Sequence, residues 1–326
     1  LELLKELNQS LLDFPPDFHY HRKLTRAMKR RRQVFEQEDE ASIDWATAEE
    51  LAFASILADG TAIRLTGEDV ERGTFSQRHA VFHSTDSERV YIPLQTIPQA
   101  KASFEIENSP LSENAALGFE FGYNVITSNR LVIWEAQYGD FVNTAQTMID
   151  EFIVSARAKW EQTPSLVLLL PHGMEGQGPD HSSGRPERFL QLAADFNLRL
   201  ANCTSAAQYF HLLRRQAALL ETDPLPLIIL TPKSLLRNPH TASTPREVAE
   251  GRWQPVIDDR EAQDHKDPVQ RLILCSGKVY VDLISSEQRQ DRSEVAIARL
   301  EQLYPFPQED IGDLLEGYPN LQELLW

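Results

Sequence analysis

Short, largely apolar runs separated by stretches of helical periodicity constrain this chain more than any other feature. Strand-like runs occur at Thr61–Thr66, Leu131–Trp134, Leu166–Leu170, Leu227–Leu230, Leu272–Cys275 and Val295–Leu300. Helical stretches lie at Glu113–Tyr123, Asn143–Phe152, Glu187–Phe196, Ala206–Leu219, Lys278–Ser286 and Gln308–Leu315. A strand that is apolar without alternation is buried on both faces, and a strand–helix–strand order demands crossovers between parallel neighbours. The pattern therefore predicts an α/β protein built on parallel sheets. Asp44 is placed to cap a further helix whose apolar positions Trp45, Ala48, Leu51, Ala52 and Ile56 recur at helical spacing, with Gly60 as the stop.

At 326 residues the chain exceeds the usual single domain, so two globular units are expected. Residues 1–40 read as a connector: Phe14-Pro15-Pro16-Asp17 breaks any helix, and a polar, basic helical stretch follows to about Glu40. Between Pro239 and Pro268 the sequence turns polar and loses periodicity, which divides the rest into residues 41–240 and 241–326. The chain opens on Leu1 and not on methionine, so a processed or excised piece is expected.

Charge narrows the partners. Residues 1–32 carry eight Lys/Arg against four Asp/Glu, and the remainder carries 24 against 45. A body that acidic repels phosphate backbones, so no nucleic acid is expected. The basic run Lys29-Arg30-Arg31-Arg32 reads as the solvated face of a helix. The longest purely apolar run, Leu166–Leu170, is far too short to span a membrane. Cys203 and Cys275 give neither metal spacing nor a disulfide framework and read as buried thiols.

The densest candidate site follows Leu166–Leu170: Pro171-His172-Gly173-Met174-Glu175-Gly176-Gln177-Gly178-Pro179-Asp180-His181-Ser182-Ser183. Loops at the carboxyl ends of parallel strands form ligand crevices, and glycines let a ligand approach the backbone. Two histidines beside two carboxylates suit proton transfer. The same residues also make a tight surface turn with solvated histidines. The glycine spacing is not the dinucleotide fingerprint, because His181 stands where a glycine is needed. In Gly73-Thr74-Phe75-Ser76-Gln77-Arg78-His79 the last two residues offer an anion or proton handle, though taken alone the segment reads first as a turn with solvated charges. Glu113 follows the good cap Ser112, where the helix dipole stabilises a carboxylate without any functional demand. Aromatics in Trp134-Glu135-Ala136-Gln137-Tyr138-Gly139-Asp140-Phe141 could stack on a planar cofactor or simply fill the core. No metal-ligand pattern survives inspection: His19-Tyr20-His21 lacks further ligands.

Taken in order, RLTGEDVERGTFSQRHAVFH (64–83), NSPLSENAALGFEFGYNV (108–125), LVIWEAQYGDFVNTAQTMIDEFI (131–153) and KWEQTPSLVLLLPHGMEGQGPDHSSGRPERFLQL (159–192) closely resemble one family. YFHLLRRQ (209–216), PLIILTPKSLLRNP (226–239), RLILCSGKVYVDL (271–283) and VAIARLEQLYPFP (295–307) continue the match. The family is the thiamine-diphosphate-dependent, decarboxylating component of 2-oxoglutarate dehydrogenases, and the resemblance is to its second half. It implies a transketolase-type pyrimidine-binding domain at 41–240 and a smaller, incomplete α/β domain at 241–326.

The resemblance also assigns roles. Glu113 matches the carboxylate that hydrogen-bonds the cofactor's aminopyrimidine. Phe141, or else Tyr138, is implied to stack on that ring. His181 matches the active-site histidine of the Gly-Pro-Asp-His-Ser-Ser loop, and His79 is a second candidate. Gln77 departs from a histidine that many relatives carry. The diphosphate and its Mg2+ are held in this family by a preceding domain with a Gly-Asp-Gly motif that this sequence lacks, so the chain by itself is expected to be inactive. The implied partners are 2-oxoglutarate, the lipoyl domain of a dihydrolipoyl succinyltransferase and a second copy in a homodimer. The implied location is the cytoplasm in bacteria or the mitochondrial matrix in eukaryotes. A 2-oxoadipate-type enzyme and a non-catalytic binding module of the same fold are the alternatives.

Overall fold

In the computed structural model, residues 1–262, 265–289 and 292–326 are described. Gln263 and Asp264, within the aperiodic stretch expected to hold the boundary, lie outside the described residues. The chain starts with helices α1 (Glu2–Leu11), α2 (Thr25–Arg32) and α3 (Trp45–Asp59). Strand β1 (Ala62–Gly67) precedes a small hairpin, β2 (Phe82–His83) and β3 (Val90–Tyr91). Next come β4 (Phe104–Asn108), helix α4 (Glu113–Ile126), β5 (Arg130–Glu135) and β6 (Val167–Pro171). Strands β7 (Arg199–Ala201) and β8 (Leu227–Thr231) complete the parallel part of the first sheet. Beyond it lie β9 (Val256–Ile257), β10 (Arg271–Cys275), β11 (Val295–Leu300), β12 (Gln302–Tyr304) and β13 (Glu323–Leu325).

The large sheet runs β12-β7-β8-β6-β5-β1-β4, parallel except for the antiparallel edge strand β12. The second sheet runs β13-β10-β11-β9. The expected α/β architecture is thus present. Its large core follows from strand alternation: successive residues of an apolar strand face opposite sides. Ile63, Leu65, Leu131, Ile133, Val167 and Leu169 pack with α3 and the helix Ala206–Ala218. Val132, Trp134, Leu166, Leu168 and Leu170 pack with Ala116, Leu117 and Phe121 of α4 on the other side.

Helix α3 forms as the sequence predicts: the Asp44 carboxylate accepts from the Thr47 N–H at 2.9 Å, and Gly60 ends the helix at φ +101°. Its burial extends almost all round and takes in Glu49 and Glu50. Both carboxylates are met by arginines. Glu50 pairs with Arg31, so that member of the basic run is not solvated as expected. Glu49 accepts from Arg78 Nε at 2.5 Å and from the Tyr209 hydroxyl at 2.6 Å. The other side of Arg78 donates to Glu135, at the end of β5, at 2.5 and 3.0 Å.

Residues 1–40 are packed more closely than a connector. Leu4, Leu7 and Leu11 of α1 enter the same core as α3. Phe14, Phe18 and Tyr20 cluster with Phe82 and Tyr91 of the hairpin. Among the described residues no helix is long and apolar enough to cross a membrane.

Arg78 offers the first test. Replacing it with methionine strands two buried carboxylates, and breaking a buried pair of this kind typically costs ~3–5 kcal/mol. Chemical denaturation of Arg78→Met should show a loss of that size, and a loss below ~1 kcal/mol would mean that the pair contributes only surface-like stabilisation.

Candidate functional site

Five neighbouring strands of the large sheet, β8, β6, β5, β1 and β4, send their carboxyl ends to one edge. From β1 the chain moves outward to β4 and then returns to β5 on the other side, a reversal that opens a crevice at that edge. Every candidate side chain singled out in the sequence leaves this edge. His79 follows β1, Glu113 follows β4, Tyr138 and Phe141 follow β5, and His181 follows β6.

Tyr138, Phe141 and His181 form one cluster. The Tyr138 and His181 rings meet edge to face with centroids 4.3 Å apart. Phe141 lies 5.6 Å from His181 and 5.9 Å from Tyr138. Phe75 closes the side towards β1, with its ring 5.6 Å from Tyr138. All three cluster members are partly exposed, which leaves aromatic surface free for a ligand. The approach of the two loops depends on glycine. A Cβ on Gly139 would stand 2.7 Å from Gly184 Cα and 2.7 Å from the Pro171 carbonyl oxygen.

Glu113 reaches the same place through Thr144. Ser112 is the N-cap of α4 but makes no side-chain cap hydrogen bond. Instead the Thr144 hydroxyl lies 2.9 Å from both Glu113 Oε2 and the Phe141 carbonyl oxygen. This joins the helix start to the 3-10 turn Gly139–Ala145, which carries Phe141. The expected helix Asn143–Phe152 is consequently broken into that turn, one α-helical turn and a π-helical stretch Ile149–Ile153.

The glycine-rich loop is closed internally. Gly173 N–H donates to the Ser182 carbonyl at 2.8 Å, and Gly184 N–H donates to His172 Nδ1 at 2.9 Å. His172 therefore accepts at Nδ1. Burial, helped by the Lys233 charge, holds its imidazole below the ordinary histidine range. His181 Nδ1 lies 2.7 Å from the exposed carboxylate of Asp180. Arg185 bridges to Asp140 with its Nε at 2.6 Å, tying the end of this loop to the Phe141 turn.

His79 stands apart. It lines a cleft of about 710 Å³ with Arg72, Arg237 and His83, and that lining includes none of Tyr138, Phe141 and His181. Its backbone is left-handed at φ +47°, and burial together with Arg72 and Arg237 pushes its imidazole down. Arg78, read from sequence as an anion handle, is committed to Glu49 and Glu135 and is 8% exposed. The Gln77 amide oxygen is engaged by the Phe75 N–H at 3.0 Å, within its own loop. Sequence reasoning missed Lys233, which follows β8 and reaches this cluster. A lone lysine after a strand carries no signal of burial. Among the described residues no group of three or more His, Cys, Asp or Glu side chains could hold a metal ion.

A planar nitrogen heterocycle fits what is present. Glu113 offers one carboxylate oxygen that has no protein partner among the described residues, and Thr144 links it to the turn carrying the partly exposed Phe141 ring. Comparison with known proteins agrees. The family model for the transketolase pyrimidine-binding domain matches residues 41–239, and the model for the 2-oxoglutarate dehydrogenase C-terminal region matches residues 242–326. Proteins named 2-oxoglutarate dehydrogenase E1 component from Bacillus cereus (strain AH820) and Bacillus anthracis are each 50% identical over 331 residues, covering 100% of this chain and 34% of the relative. The chain thus spans about a third of the length of the curated relatives it matches. The resemblance read from the motifs is borne out, and the chain belongs to the transketolase pyrimidine-binding domain family, with a 2-oxoglutarate dehydrogenase C-terminal region following it.

Proposed function

We propose that residues 41–240 bind the aminopyrimidine of thiamine diphosphate, that residues 241–326 form the smaller unit packed against them, and that the protein carrying this chain decarboxylates 2-oxoglutarate. The observation that supports this most is the joint placement of Glu113 and Phe141 through Thr144, beside the Tyr138–His181 pair, at the switch point of a parallel sheet. Bound thiamine diphosphate supplies the electron sink for loss of carbon dioxide from a 2-oxo acid.

The chain's own residues supply position and proton control. Glu113 would share a proton with a ring nitrogen of the aminopyrimidine, its other oxygen being held in place by Thr144. This fixes where the ring's proton sits. Phe141 would pack on the ring face, with Tyr138 beside it. His181, oriented by Asp180 on one nitrogen, presents the other to the substrate or to the arriving acyl acceptor and holds or delivers a proton there. His79 has a secondary role from its own cleft. The acceptor in this reading is the lipoyl group of a dihydrolipoyl succinyltransferase, in the tricarboxylic acid cycle of the bacterial cytoplasm. The protein works as a homodimer, and Mg2+ on the diphosphate is held by residues outside this chain.

Two variants test the roles separately in the protein that carries this chain. Glu113→Ala should leave the fold intact and lower decarboxylation by ~100- to 10,000-fold, the usual contribution of a positioned acid–base group. A variant that keeps more than half its rate would remove Glu113 from the site. His181→Asn should leave cofactor affinity unchanged, measured by calorimetry, and slow single-turnover decarboxylation or acyl transfer by ~100-fold. If both rates stay unchanged, His181 is structural.

A further inference from the structure

Lys233 is only 5% exposed, and lysine is seldom buried so fully unless its ammonium is engaged. It stands two residues beyond β8, and its ammonium points back under the glycine-rich loop after β6. Nζ donates to the His181 carbonyl oxygen at 2.7 Å and to Gln177 Oε1 at 3.1 Å. It also lies 5.8 Å from the Tyr138 ring centroid, on the face side. The next residue continues the attachment, since the Ser234 N–H donates to Glu175 Oε2 at 3.2 Å. Burying an ammonium is costly unless it is paired or hydrogen-bonded; here the nearby charge is that of Glu175, and both hydrogen-bond acceptors belong to the same loop.

That loop needs a fastening. Gly173, Gly176 and Gly178 all have positive φ, at +155°, +77° and +95°, and glycines leave a chain more freedom to lose on ordering than any other residue. His181 lies at the end of this stretch. Its ring can stay against Tyr138 only if its main chain is held.

We propose that Lys233 is a positioning residue for His181: by donating to the His181 carbonyl and the Gln177 side chain while resting on Tyr138, it locks the glycine-rich loop so that the imidazole stays against the aromatic cluster. This rests on reading that cluster as the aminopyrimidine site. Lys233 touches no reacting atom. It acts through the loop.

The test compares Lys233→Met with the parent in the protein that carries this chain, since methionine keeps an apolar stem and removes the ammonium. Charge-assisted hydrogen bonds of this kind, once lost, correspond to ~10- to 100-fold faster amide hydrogen exchange. Mass spectrometry should find that acceleration confined to residues 173–183. Decarboxylation of 2-oxoglutarate should fall ~10- to 100-fold in kcat, the scale of a misplaced catalytic group, with thiamine diphosphate affinity unchanged. Lys233→Arg, which can reach both acceptors, should restore slow exchange and part of the rate. Unchanged exchange in 173–183, or faster exchange with an unchanged kcat, overturns the proposal. If Lys233→Met does not fold, Gln177→Ala decides by the same two readouts, because Gln177 is exposed and its loss does not threaten the core. Glu113→Ala is measured alongside. If that variant stays active, the reading of the site has failed; if only Lys233→Met stays active, this inference has failed.

Discussion

Arg78 sits between two buried carboxylates from different parts of the chain, and the position of the site depends on that contact. Glu49 belongs to α3, Glu135 ends β5, and Arg78 comes from the long loop after β1. Burial alone would pull the guanidinium down, but the charges of Glu135 and Glu49 outweigh it and hold it well above its ordinary value. The Tyr209 hydroxyl, on the helix Ala206–Ala218, completes the network at Glu49. One side chain therefore fixes the loop after β1 against the strand that leads into Tyr138 and Phe141. It also makes a helix carrying glutamates compatible with the core.

From that base the site assembles by short steps. Glu135 anchors the end of β5, and three residues later Tyr138 begins the turn that carries Phe141. Gly139 and Gly184 bring this turn against the loop after β6, at a distance no Cβ would permit. Arg185 and Asp140 clamp the same junction from the other side. Glu113 arrives through Thr144. The residues with proposed chemistry are thus placed by neighbours with none. Such support is what holds side chains within the small tolerance that catalysis demands.

Much of the fold was legible in the sequence because apolar runs and helix caps are local signals. The runs around Leu131, Leu166, Leu227, Leu272 and Val295 all became strands, and Asp44 and Gly60 bound α3 as expected. Strands β4, β7 and β12 were not visible. Phe104-Glu105-Ile106-Glu107-Asn108 is an edge strand that alternates with charge, while Arg199–Ala201 and Gln302–Tyr304 have three residues each, too few for any period to show. Electrostatic burial was the least legible. Arg31 and Arg78 look solvated in sequence, and only the fold brings Glu50, Glu49 and Glu135 to meet them. Position alone made Glu113 a helix cap. Its link to the aromatic turn requires Thr144, 31 residues away, and its chemical role came from resemblance.

The proposed site places the aminopyrimidine of thiamine diphosphate between Glu113 and Phe141, at the carboxyl edge of the large sheet. A crystal structure of the protein carrying this chain, loaded with the cofactor, tests it most directly. A pyrimidine nitrogen is expected within ~2.6–3.2 Å of the Glu113 carboxylate and the ring in contact with Phe141, with His181 still against Tyr138. A ring bound elsewhere, with Glu113 held by Thr144 alone, would contradict it.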